Sequence, residues 1–291
     1  CNHATLFLLE DGRVFQKPSW FNGQLQVLSD IALIACSPPG YHHHDGYRGS
    51  IFLAVSRQGQ LYSWGRGNSN KYCELMRRTS TIEAMTKPDK TDIPWTVMLA
   101  ACGRHFSAVH GVKDGICFTM TVGRFNKEHP HRDCFYDELR GKTLLSLSCG
   151  AFFCCALTST NELWVWGDNV GKDISNGNLL GYYDMKEPIC TKPFVMMYGV
   201  MKVSCSTYSV LAITYGGHVV TWGDSDGHCL AHKNPFPQSV TVLYPRMGWS
   251  DSGSTCYPLC ATACANRSLW MWGGTKWIRS LLCESSEPEC I

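Results

Sequence analysis

The feature that most constrains this chain is an internal repeat anchored on a cysteine and on a Trp-Gly pair. Two segments carry it most fully, Cys149 through Asn169 and Cys205 through Ser225. In both, the Cys stands 18 positions before the Gly of Trp-Gly, and an apolar stretch, a polar turn and a short alternating stretch lie between. Cys256 leads to Trp272-Gly273 with one residue fewer. Cys102 leads to Val122-Gly123 with three residues more and with Val in place of Trp. The segment from Cys1 keeps the apolar stretch and an Asp11-Gly12 turn but has no Trp-Gly. One more copy is split: Ile31 to Cys36 forms its first half, and Ser50 through Trp64-Gly65 its second. Removing 11 residues from the intervening Ser37–Gly49 restores the spacing of 18. The anchors Cys1, Cys36, Cys102, Cys149, Cys205 and Cys256 thus recur at a mean step of 51 residues.

Repetition at this period is the signature of an array of supersecondary units, each too small to bury its own apolar face. The content of each unit is β. Short alternating runs such as Leu61-Tyr62-Ser63-Trp64 are bounded by Gly, Asn and Asp. Asp11-Gly12, Thr160-Asn161 and Gly216-Gly217 supply hairpin turns. Pro188, Pro193, Pro235 and Pro237 fall in the linking segments, where proline suits outer strands and loops. About four short strands per unit, arranged radially, make a β-propeller, an architecture that also limits exposed sheet edges. The expectation is an all-β, single-domain propeller over residues 1–291, with a loop inserted at 37–49. The tail from Thr275 to Ile291 is too short for a full linker and is expected to pair beside the first hairpin.

Each repeat position has a physical reason. A small thiol fits where inner strands crowd together, which accounts for Cys36, Cys102, Cys149, Cys205 and Cys256. Trp64, Trp166, Trp222 and Trp272 can cover the seam between neighbouring units and bury a large apolar area. Gly65, Gly167, Gly223 and Gly273 permit the positive φ or the close approach needed on leaving the strand.

Hydrophobic residues make up 44% of the chain and charged residues 17%, which excludes disorder over most of the length. The net charge of +2 gives no field favouring nucleic acid or an anionic membrane. No apolar run reaches the length of a membrane-spanning helix, and no signal peptide is visible. The chain starts at Cys1 rather than Met, as a processed chain, a fragment or an excised domain does. The 17 cysteines are odd in number, without a CxxC pair, and two of them, Cys154 and Cys155, are adjacent. They read as reduced small hydrophobes of an intracellular protein, in cytoplasm or nucleus, rather than as a disulfide framework.

These repeats resemble those of the regulator of chromosome condensation family, most closely from Leu147-Ser148-Cys149-Gly150 through Trp166-Gly167, with Gly181 and Pro193 downstream. Pieces of the pattern recur from residue 1 to about 274. The resemblance implies a propeller, usually of seven blades. Seven steps of 51 exceed the 291 residues present, so six blades or a degenerate seven-bladed ring is expected.

Candidate contact residues lie in loops, where a rigid scaffold carries its function. The insertion holds Tyr41, His42, His43, His44, Asp45 and Tyr47. Its imidazoles and carboxylate are metal-ligand types, yet adjacent histidines on a strand point to alternate sides and no matching ligand set follows. A protein-contact or solvated loop fits better, and no metal or cofactor is expected. Arg66, Asp168, Asp224 and Asp226 follow Trp-Gly pairs and would ring one rim, as partner contacts or as ordinary turn residues. Arg104 and His105 read as packing or face-lining. His129, His131, Arg132 and Asp133 read as a polar linker.

No phosphate loop, nucleophile elbow, HExxH or dinucleotide fingerprint occurs. The reading is a scaffold that offers faces and loops to protein partners, within a larger protein or complex. The resemblance implies an alternative, guanine-nucleotide exchange on a Ran-like small GTPase, although the family's exchange wedge has no recognisable counterpart here.

Overall fold

Each repeat becomes one antiparallel meander. The computed structural model describes residues 4–18, 22–38, 50–66, 87–125, 134–169, 178–181, 189–223, 230, 238–239, 249–254, 261–265, 268–272 and 289–290. Their strands form six sheets. The first has three strands, β1 (Ala4–Leu8), β2 (Val14–Pro18) and β3 (Leu25–Leu28). The second comprises β4 (Ile31–Cys36), β5 (Ser50–Ser56), β6 (Leu61–Arg66) and β7 (Asp89–Lys90). The third comprises β8 (Thr96–Cys102), β9 (Phe106–Lys113), β10 (Ile116–Gly123) and β11 (Cys134–Phe135). The fourth holds β12 (Leu144–Cys149), β13 (Phe153–Thr158), β14 (Glu162–Asp168) and β15 (Ile189–Tyr198). The fifth holds β16 (Val200–Cys205), β17 (Ser209–Thr214), β18 (Val219–Gly223) and β19 (Gln238–Ser239). The sixth holds β20 (Trp249–Ser254), β21 (Ala261–Ala265), β22 (Ser268–Trp272) and β23 (Glu289–Cys290). Among the described residues the helical content is a single 3-10 turn, Asp137–Leu139, and no helix is long and apolar enough to cross a membrane.

Within the described residues the repeat positions map onto the strands in order. Cys36, Cys102, Cys149 and Cys205 each end the first strand of a sheet, while Trp64, Trp166, Trp222 and Trp272 all lie on third strands. The expected turns close the hairpins between. The Gly12, Asn161 and Gly217 amides donate to the carbonyls of Leu9, Thr158 and Thr214. All three residues have positive φ, of 88°, 62° and 74°. Pro193 sits in β15, an outer strand with no neighbour beyond it among the described residues.

The chain divides into two compact units, Cys1–Thr143 and Leu144–Ile291. In the first, sheets stack face to face through β5, which is buried along its whole length. Its alternate residues serve two cores. Phe52 and Ala54 pack with Ala4, Val14 and Trp64 towards the first sheet. Ile51, Leu53 and Val55 pack with Val97, Val109, Met120 and Val122 of the third. A strand buried on both faces must be apolar throughout, and β5 is the near-continuous run Ile51-Phe52-Leu53-Ala54-Val55. In the second unit, Phe153, Cys155 and Leu157 of β13 join Val200, Val210, Ala212 and Trp222 in one core between the fourth and fifth sheets.

Two expectations change. Of the tail, only Glu289 and Cys290 are described, and they pair with Met271 and Trp270 as the fourth strand of the last sheet rather than with the first hairpin. Two residues suffice because an outer strand needs only a short ladder. The insertion at 37–49 begins one residue later. Ser37 extends the β4–β5 ladder, its amide donating to the Ile51 carbonyl at 2.9 Å and its Oγ accepting from the Ile51 amide at 3.1 Å. The inserted segment proper therefore starts at Pro38.

Candidate functional site

The repeat positions form the joints of the molecule. Trp64 is buried against the first sheet, with its ring centroid 5.5 Å from that of Phe52. Its indole N–H donates to Gln16 Oε1 on β2 at 2.8 Å. Trp222 fills the equivalent seam between the fifth and fourth sheets, and Trp166 is fully buried. The Gly after each Trp is required twice over. Gly65, Gly167 and Gly223 have φ of 119°, 124° and 115°. A Cβ at these positions would lie 2.0, 2.6 and 2.4 Å from the carbonyl oxygens of Ser50, Phe152 and Tyr208. Gly123, after Val122, keeps the same conformation at φ 110°, so the copy without Trp retains the exit geometry.

At the ends of β12 and β16 the thiols gather. Cys149 and Cys154 are opposed across the β12–β13 hairpin with sulfurs 3.2 Å apart, and Cys205 lies beside Cys155 across the seam. Burial pushes the Cys149, Cys154 and Cys155 thiols up, and their mutual proximity adds to the rise for Cys149 and Cys155. Neutral, buried thiols pack as small hydrophobes and are poor nucleophiles. Among the described residues, no group of three or more His, Cys, Asp or Glu is arranged to hold a metal.

The expected contact residues fall as follows. Tyr41, His42, His43, His44, Asp45, Tyr47, Asp224 and Asp226 lie outside the described residues, as do Cys256, Gly273 and the 129–133 cluster. Arg66 ends β6. Asp168 ends β14 and is only 2% exposed, its amide donating to the Phe152 carbonyl at 2.8 Å. Its carboxylate is therefore set into the sheet end rather than on an open rim. Arg104 and His105 are also buried, in the turn between β8 and β9.

Three features escaped the sequence. Asn169 organises the chain beyond Trp166-Gly167: its Oδ1 accepts from the Leu180 amide at 2.9 Å and its carbonyl from Leu179, bringing both leucines into the core. Asn directly after a Trp-Gly-Asp exit was the available signal, since its side chain readily captures backbone amides. His110 stands fully buried in mid-strand, its Nδ1 2.9 Å from Thr119 Oγ1, and burial lowers its pKa to about 4. The first strands of the second to sixth sheets also share a bulge near their start: Ala32, Met98, Leu145, Met201 and Ser250 are each skipped in the pairing register. Met98 and Leu145 are consequently exposed.

Antiparallel four-stranded meanders, stacked through doubly buried second strands and locked by Trp-Gly seams, define an all-β repeat protein of the β-propeller class. The sequence matches the model of the regulator of chromosome condensation (RCC1) repeat over residues 145–171, the copy that keeps the pattern most fully. Mouse and human E3 ubiquitin-protein ligase HERC2 are each 29% identical over 242 residues, 77% of this chain and 5% of theirs. The RCC1 domain-containing protein RUG3, mitochondrial, of Arabidopsis thaliana is 26% identical over 283 residues, 90% of this chain and 58% of its own. Among solved structures, human WBSCR16 superposes with a TM-score of 0.61 at 15% identity, covering 92% of this chain and 83% of that one. Prp20p of Saccharomyces cerevisiae gives 0.64 at 14%, covering 83% and 63%. The chain thus carries an RCC1 repeat at residues 145–171, is similar over most of its length to proteins with RCC1 domains, and has a β-propeller fold. It spans 5% of the length of HERC2 and 58% of RUG3.

Proposed function

We propose that residues 1–291 work as one RCC1-like propeller domain that binds protein partners through its sheet ends and inserted loops, inside a larger intracellular protein or complex. The observation that carries this is how the side chains are used. Trp, Gly, Cys and the doubly buried second strands are consumed in joining sheet to sheet. The repeat leaves its individuality to the connections, and those of the 38–49 insertion and the Trp-Gly exits differ most between copies. Named relatives support the role of a domain within something larger, since HERC2 is a ubiquitin-protein ligase and zebrafish Nek8 a serine/threonine-protein kinase. The yeast Prp20p structure was reported with binding to Gsp1p and histones, and another with Kap60 bound.

The contact set assigned to this role is Tyr41, His42, His43, His44, Asp45, Tyr47, Arg66, Asp224 and Asp226, with Asp168 supporting its sheet end from within. Crosslinking and pull-down with the intact chain and with residues 38–49 replaced by a Gly-Ser link tests it. Keeping Ser37 preserves the β4–β5 ladder, so loss of a partner reports on the loop and not on the fold. An unchanged set of partners removes the loop from the role. Guanine-nucleotide exchange on a Ran-like GTPase is the competing reading, and it rests on the family resemblance. Release of a fluorescent guanine nucleotide from such a GTPase, unaccelerated at micromolar chain, rules it out.

A further inference from the structure

In one sheet the repeat cysteine faces a second cysteine. Four first strands end on the repeat Cys, and the amide of the next residue donates across to a second-strand carbonyl: Ser37 to Ile51, Gly103 to Phe106, Gly150 to Phe153 and Ser206 to Ser209. A hydrogen-bonded pair there makes the pair before it non-hydrogen-bonded. That is the closer kind of pair in an antiparallel ladder, with Cα atoms about 4.5 Å apart. The residue opposite is Phe52 for Cys36, Ser107 for Cys102 and Val210 for Cys205. For Cys149 it is Cys154.

The register meets the requirements of a disulfide. A cross-strand S–S bond needs Cα atoms about 4.4–6.8 Å apart and side chains on one face. The Cys149 and Cys154 sulfurs are 3.2 Å apart, so bonding asks for a shift of about 1 Å between them. Cys155, next along β13, turns to the opposite face and meets Cys205 of the fifth sheet, where no ladder sets the spacing of the two Cα atoms. Access is uneven within the opposed pair: Cys149 is partly exposed and Cys154 is wholly buried.

We propose that Cys149 and Cys154 are a site of reversible oxidation, where a small peroxide joins the two thiols as a cross-strand disulfide. The peroxide meets Cys149. The Cys149 sulfur attacks one peroxide oxygen, the O–O bond breaks, and the other oxygen leaves as water with the thiol proton, giving a sulfenic acid. The Cys154 sulfur then attacks the sulfenic sulfur. The S–S bond forms, the S–O bond breaks, and the hydroxyl leaves with the Cys154 proton as a second water. Two thiols thus give up two electrons and two protons, and hydrogen peroxide is reduced to two waters. Burial holds both thiols neutral and slows the first step. Contact between the sulfurs makes the second step intramolecular and fast. Cys154 itself meets no reagent from solution. The bond fixes the Gly150–Phe153 turn, whose Ala151 amide donates to the Thr207 carbonyl at 2.8 Å and whose Phe152 ring stacks on Tyr208. Oxidation therefore stiffens the turn that docks the fourth sheet onto the fifth.

Hydrogen peroxide at low millimolar concentration and neutral pH, added to the intact chain, is the probe. Remaining thiols are alkylated in denaturant, and chymotrypsin, which cuts after Phe152 and Phe153, separates Cys149 from Cys154 for mass mapping. A disulfide joining the two peptides is expected to form about tenfold or more faster than any Cys155–Cys205 link, and a thiol reductant removes it. Cys155→Ala keeps the link. Cys154→Ala loses it, and Cys149 runs on to the sulfinic acid. Three results overturn the proposal: Cys117 and Cys134 oxidised while Cys149 and Cys154 stay unlinked, Cys149 joined chiefly to another cysteine, or loss of the link in Cys155→Ala.

Discussion

The indole N–H of Trp64 and the amide oxygen of Gln16, 48 residues apart in sequence, meet at 2.8 Å across the seam between two sheets, with both side chains buried. Trp222 occupies the same place in its own repeat, but its Nε1 has no hydrogen-bond partner among the described residues. The two tryptophans therefore differ in what they lose on substitution. Trp64→Phe forfeits ring area and a buried hydrogen bond, whereas Trp222→Phe forfeits ring area alone. Urea unfolding should find the Trp64 variant less stable than the Trp222 variant by about 1 kcal/mol or more. Equal losses would show that the Gln16 bond contributes nothing net.

The Gly of Trp-Gly is the most sensitive small residue. In Gly65→Ala the new Cβ falls 2.0 Å from the Ser50 carbonyl oxygen, on a residue with φ of 119°. Backbone cannot yield as a side-chain tip can, so a loss above about 3 kcal/mol is expected. Gly115→Ala is the control. It also has positive φ, 77°, but nothing lies within 4 Å of its Cβ, and its loss should stay near 1 kcal/mol. Thermal unfolding of both variants checks the order.

His110 makes stability depend on pH. Its folded pKa, about 4, lies below the ordinary value of 6.5 because burial disfavours the imidazolium. Between these values the unfolded chain binds the extra proton. The contribution is therefore complete above pH 6.5 and is lost as pH falls towards 4, by up to about 3 kcal/mol for this residue. Denaturant midpoints from pH 7.5 to 4.5 should fall more steeply for the natural chain than for His110→Gln, which can still bond Thr119. Parallel curves would remove His110 from the effect.

Thiol reactivity should divide by burial. Cys154 and Cys155 are wholly buried and held neutral, while Cys117 and Cys134 are partly exposed. With an aromatic disulfide reagent at pH 8, peptide mass mapping should find Cys117 and Cys134 modified early and Cys154 and Cys155 only after denaturation. Modification of Cys155 at the rate of Cys117 would contradict the packing described.

Much of the fold was legible because a repeat writes its local rules several times. The turn residues Gly12, Asn161 and Gly217, the Trp on each third strand and the Gly behind it follow from short-range geometry, and a spacing of 18 shows where each belongs. The candidate site was less legible. Asp168 reads as a rim residue from its place after Trp-Gly, yet the fold sets its carboxylate inward, because the chain returns through Asn169 to bury Leu179 and Leu180 over that end. Ser37 looks like the start of an insertion and proves to be the last rung of a ladder, which only its pairing with Ile51 reveals.

The sequence by itself determined the sheet as the unit, the hairpin within it and the residues at each joint, since these depend on neighbours a few positions apart. The tertiary structure alone decided which seam each Trp covers and whether its indole finds a partner, as Trp64 does in Gln16. It alone placed Glu289 and Cys290 as β23 on the last sheet. Such choices turn on contacts between residues tens of positions apart, where local pattern carries no information about which partner is met.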